Sequence, residues 1–147
     1  EGGVMNYLIL VSHGGLAEGL RTSLEMFAED AMAEVIALGL KNGSSVDEFA
    51  EEFRMAVSHI GPSNRVIVLA DIIGGSPLTT ALGILEEKGL LETATVLGGM
   101  NLPMAITSVV MKDSLVGDDF VNAVLPEAQA ALQELKLVSD QTEDDDI

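Results

Sequence analysis

His13 stands in Ser12-His13-Gly14-Gly15, directly after the apolar run 7–11 (YLILV). A neutral imidazole is a usable nucleophile at physiological pH, and the glycines behind it leave room for a partner to approach. By itself such a histidine could equally finish a strand by bonding to a loop. Asp71 ends a second apolar run, 66–70 (VIVLA), and opens Asp71-Ile72-Ile73-Gly74-Gly75-Ser76-Pro77. A carboxylate facing His13 would hold the proton on one ring nitrogen, fix the tautomer and leave the other nitrogen to attack. The alternative is a loop aspartate that caps nearby amides. Gly74, Gly75 and Ser76 lead into a helix-compatible stretch, so their amides and the Ser76 hydroxyl offer donors to an anion at a helix N-terminus. They are also compatible with a turn and nothing more. A phosphoryl group arriving at His13 would need donors of this kind. Neither the P-loop pattern with its lysine nor a GxGxxG fingerprint is present, so a nucleotide site is not supported.

The elements that must position these residues alternate in type. Strands are expected at 7–11, 33–38, 66–70 and 94–97, and each is followed by a turn and a helix. Leu16, Leu20, Leu24 and Phe27 share one helical face. Ser44 and Ser45, with Asp47 and Glu48 three residues on, match capping boxes for a helix that buries Val46, Phe49, Phe53, Val57 and Ile60. Ser76 as N-cap and Pro77 as first helical residue open a third helix. Pro103 opens a fourth to about Met111, and a last helix spans about 119–133. The run 135–138 (LKLV) is a short strand-like end. The pattern predicts an α/β fold with an open, mainly parallel sheet and helices on both faces. In such a sheet the reactive groups gather at the carboxyl ends of the strands, so the loops holding His13, Asp71 and Asn101 open onto one rim.

Composition narrows the function. The 147 residues suit one domain, and 48% of them are hydrophobic with only 3% aromatic, an aliphatic leaning typical of parallel strands covered on both faces. Cysteine is absent, which removes disulfides and thiolate chemistry, and two histidines (His13, His59) are too few for a His-rich metal cage. No cofactor or metal is expected. His59 reads as structural or solvent-facing, and Met100 and Met104 as packing residues. With 24 acidic and 7 basic residues the formal charge is -17, which argues against nucleic acid and anionic lipid and favours a protein partner with a positive patch. The uncharged stretch 93–111 is long enough to span a bilayer but is interrupted by Gly98-Gly99, Asn101 and Pro103. No secretory signal precedes the first apolar run, so a cytoplasmic protein is expected. Residues 1–4, ahead of Met5, read as a remnant of expression, and the acidic stretch 139–147 as a solvated, disordered tail.

From about Met5 to Val138 the sequence resembles the IIA domains of mannose-family sugar phosphotransferase systems. The matching features are Ser12-His13-Gly14 after the first strand, then Asp71-Ile72-Ile73-Gly74-Gly75-Ser76-Pro77, then Asn101-Leu102-Pro103-Met104. The resemblance implies that His13 accepts a phosphoryl group from phospho-HPr and hands it to a IIB component. It implies that Asp71 orients His13, and that Gly74, Gly75, Ser76 and more weakly Asn101 line the phosphoryl pocket. It also implies a homodimer whose sheet is completed by an exchanged C-terminal strand, here 135–138, and membrane contact only indirectly through IIC and IID components. A IIB domain is expected on a separate polypeptide, or as a part removed from this one. Some family members carry an aromatic and Asn after Gly-Gly-Ser-Pro where this chain has Leu78 and Thr79, so the sugar is left open.

The phosphocarrier domain of phosphotransferase-dependent dihydroxyacetone kinases shares the histidine strand but differs at the second loop, and a non-catalytic regulatory domain is a further alternative. A receiver-like domain would need an acidic pair where Ser12-His13 stands. A histidine phosphatase would need an arginine at Ser12 and a second catalytic histidine.

Overall fold

The computed structural model describes residues 4–138; residues 1–3 and the acidic tail expected at 139–147 lie outside it. Four parallel strands, β1 (Asn6–His13), β2 (Val35–Leu40), β3 (Arg65–Ala70) and β4 (Thr95–Gly98), form one sheet in the order β2-β1-β3-β4. Five helices connect or follow them: α1 (Leu16–Glu25), α2 (Val46–Ala56), α3 (Ser76–Glu87), α4 (Leu102–Met111) and α5 (Gly117–Ala130). A 3-10 helix, Glu29–Glu34, which the sequence pattern does not announce, leads into β2.

Each central strand is apolar on both faces because both are covered. On β1, Leu8 and Leu10 face a core shared with Leu24 of α1, Met104 and Val109 of α4, and Phe120 and Val124 of α5. Ile9 and Val11 face the opposite core, with Phe49 and Phe53 of α2 and Leu78, Ala81 and Leu85 of α3. Alternation along one strand thus feeds two cores. The Ser45 side chain accepts from the Glu48 amide while the Glu48 carboxylate accepts from the Ser45 amide, so the capping box is real at the second of its two candidate positions.

Two helix starts differ from expectation by one residue. Gly75 is the N-cap of α3, so Ser76 is its first and Pro77 its second residue. Asn101 caps α4, whose first residue is Leu102 rather than Pro103. The last helix starts earlier than expected, at Gly117, and carries Pro126 inside it. The strand-like end 135–138 pairs with no strand among the described residues, and Leu135, Leu137 and Val138 are exposed.

Register brings the strand ends level: His13 lies opposite Leu40, Val11 opposite Ala70, and Ala70 opposite Gly98. From β1 the chain turns to β2 on one side, then crosses to β3 on the other. Its next helices follow suit, α1 packing on one face and α3 on the other. The carboxyl ends of β1 and β3 therefore flank the point where strand order reverses, where this architecture leaves a crevice.

Candidate functional site

His13 is the last residue of β1, and Asp71 follows the last residue of β3. One carboxylate oxygen of Asp71, Oδ2, accepts from the His13 amide at 2.9 Å and lies 3.0 Å from His13 Nδ1. The other, Oδ1, accepts from the Ile72 amide at 2.8 Å. The carboxylate is thus held from both sides by backbone, which makes it a fixed reference for the ring. With Nδ1 facing Asp71 as the protonated nitrogen, Nε2 keeps its lone pair. Burial pushes the Asp71 carboxyl up, but the bonds from the His13 amide, the His13 ring and the Ile72 amide, with attraction to His13, outweigh it. The pKa of Asp71 therefore lies below its ordinary value. The His13 side chain is 47% exposed, so its outer edge is open to an incoming group.

The second wall is the start of α3. Gly75 packs so close to the ring that a Cβ there would come 2.7 Å from His13 Cε1 and 3.3 Å from Nε2. Only glycine permits this approach. The first bond of the helix runs from the Thr79 amide to the Gly75 oxygen, so the amides of Ser76 and Leu78 precede it and Pro77 has none. The positive end of the α3 dipole therefore begins beside Nε2. Asn101 has both polar ends engaged within the fold: its oxygen accepts from the Met104 amide at 2.9 Å and its Nδ2 donates to the Ala128 carbonyl at 3.1 Å. It sits on the expected rim, but its side chain ties α4 to α5.

Two residues that shape the site carry weaker sequence signals. Ser12 is fully buried, and its Oγ accepts from the Ala17 amide at 2.7 Å, anchoring α1 to the histidine strand. A hydroxyl inside a strand covered on both faces was the available clue. Gly39 on β2 leaves space for the Gly14 carbonyl, which a Cβ would strike, while the Gly14 amide donates to the Leu40 oxygen at 2.7 Å. Gly14 itself has φ 58°, in the region that favours glycine. The histidine turn is thus clamped to β2 by a close contact that a side chain would prevent.

The other histidine, His59, is exposed and meets Tyr7 edge-on at 5.3 Å between ring centroids, and Met100 and Met104 are buried in the core. Among the described residues no group of three or more His, Cys, Asp or Glu side chains could hold a metal ion, and no helix is long and apolar enough to cross a membrane.

Comparison with known proteins gives a consistent family. The family model described as "PTS system fructose IIA component" matches residues 7–125. The fructose-specific EIIA component of Bacillus subtilis (strain 168) is 26% identical over 127 residues, covering 86% of this chain and 84% of that protein. The mannose-specific EIIAB component of Escherichia coli (strain K12) is 26% identical over 106 residues, covering 72% of this chain but 32% of that longer protein. Among solved structures, a PTS IIA protein associated with the fucose utilization operon of Streptococcus pneumoniae superposes with TM-score 0.74 at 29% identity, covering 91% of this chain and 96% of that one. A mannose/sorbose-specific IIA subunit from Enterococcus faecalis has TM-score 0.75 at 23% identity, covering 94% and 100%, and supports the fold. The chain belongs to the mannose-family IIA components of sugar phosphotransferase systems. Its role is accordingly that of a phosphocarrier in sugar uptake.

Proposed function

We propose that His13 accepts a phosphoryl group from phospho-HPr through Nε2 and passes it to a IIB component, as a cytoplasmic step of sugar uptake. The observation that carries this reading is the pairing of His13 Nδ1 with Asp71 Oδ2 at 3.0 Å, with the α3 N-terminus against the opposite side of the ring. In the forward step the Nε2 lone pair forms the new N–P bond in line with the N–P bond of the donor phosphohistidine. That bond breaks with its electron pair returning to the donor ring. The His13 ring becomes cationic while it retains the Nδ1 proton, and the Asp71 carboxylate balances that charge. Transfer to IIB is the same step with His13 as donor.

Gly74, Gly75 and Ser76 line the phosphoryl pocket in this reading. The open turn and helix N-terminus offer amides, and Ser76 adds a hydroxyl. Asn101 acts at a remove, holding α4 to α5 beneath the rim. Positioning and charge stabilisation do most of the catalytic work. The functional unit is a homodimer in which 135–138 adds a strand to an open edge of the partner's sheet; exposed Leu135, Leu137 and Val138 support this. Contact with the membrane is indirect, through IIC and IID components.

The test is intact mass after incubation with phosphoenolpyruvate, enzyme I and HPr. Wild type is expected to gain one acid-labile phosphoryl group and His13→Ala none. Asp71→Ala is expected to retain the acceptor but slow transfer by about 10²-fold, the scale of a lost proton-holding partner. An unmodified wild type alongside phosphorylated HPr would overturn the reading, and wild-type rates in Asp71→Ala would remove the role given to Asp71.

A further inference from the structure

Lys41 stands out among the cations. Of the 7 basic residues in a chain of formal charge -17, it alone follows a strand at the rim where His13 sits. Arg21 is spent on the Val35 and Met32 carbonyls, and Arg54 pairs with Glu51 and Glu87 on the outer helices. Arg65 begins β3, while Lys88 and Lys112 end α3 and α4, so all three lie at the opposite end of the sheet; Lys136 is beyond α5.

Lys41 comes directly after Leu40, the register partner of His13, whose carbonyl accepts from the Gly14 amide. His13, Gly14, Lys41 and Gly43 line one open cleft of about 330 Å³. The Lys41 Nζ pairs with Glu18 Oε2 on the first turn of α1, at 3.1 Å. Both side chains are about half exposed, and an exposed pair of this kind is held weakly. A phosphoryl group on His13 would bring up to two negative charges to the same cleft, a stronger attraction for an ammonium than one solvated carboxylate.

We propose that Lys41 is a phosphoryl-contacting residue, its ammonium exchanging Glu18 for the phosphoryl oxygens when His13 is loaded. The inference rests on the reading of His13 as phosphoryl acceptor and adds the counter-charge that the rest of this acidic rim lacks. Glu18 is then a competitor that holds the Lys41 ammonium while the histidine is empty. No bond in the transfer is made to Lys41; it stabilises charge on the oxygens as the phosphorus moves between nitrogens.

The experiment uses the full chain and two donors, phospho-HPr and phosphoramidate, the latter having no protein surface to dock. Lys41→Gln is expected to lower the rate of phosphoryl uptake from both donors, and the loaded fraction at equilibrium with phospho-HPr, by about tenfold, the scale of a charge-assisted contact. Lys41→Arg is expected to recover most of both, and Glu18→Gln to raise the loaded fraction above wild type. Wild-type behaviour of Lys41→Gln with both donors would overturn the proposal. So would a loss confined to phospho-HPr, which would make Lys41 a contact for the donor protein. Failure of the wild type itself to load from either donor would instead remove the phosphocarrier reading on which the proposal stands.

Discussion

The site depends on one carboxylate doing two jobs. Asp71 Oδ2 receives both the amide and the ring of His13, so backbone and side chain of the histidine are fixed by the same atom. That arrangement has a pH signature. The folded-state pKa of Asp71 lies below its ordinary value, because the hydrogen bonds and the nearby His13 outweigh burial. A carboxylate depressed on folding contributes stability that is present above its unfolded value of about 3.9 and is lost as pH falls through the lower folded value. The difference in urea midpoint between wild type and Asp71→Asn should therefore be full at neutral pH and close progressively below about pH 4. A gap that stays constant across this range would show that Asp71 is held without its charge.

At the scale of elements, the residues that announce the fold in sequence are those whose local physics is decisive. The run VIVLA and its counterpart in β1 are apolar without alternation because two helical layers cover them, and the Ser45–Glu48 box starts α2 at its own signal. His13 and Asp71 were legible for the same reason, as polar residues ending such strands. What stayed hidden depends on neighbours distant in sequence. Gly39, next after the expected strand 33–38, shows its purpose only where the Gly14 carbonyl packs against it, and Asn101 reads as a rim residue until Ala128 and Met104 take both its ends. The segment 135–138 is a third such case. Its apolar residues have no cover among the described residues, and strand exchange between two copies would bury them. Sedimentation should find the full chain dimeric and a chain truncated after Ala131 monomeric. A monomeric full chain at micromolar concentration would contradict the exchange.

For the whole molecule, topology and charge act together. The reversal of strand order between β1 and β3 brings two sequence-distant loops into one crevice, and among the described residues Lys41 is the one Lys or Arg that follows a strand at that rim. In the proposed function a phosphoryl group is admitted by donors at one end of the sheet, while the acidic body favours a partner whose docking face is positive. Whether Asp71 reserves Nδ1 and leaves Nε2 to react can be read by nitrogen-15 NMR of the phosphorylated protein labelled at histidine. The expected result is a phosphoryl group bonded to Nε2 of His13, with Nδ1 still protonated. A phosphoryl group on Nδ1, or on His59, would contradict it.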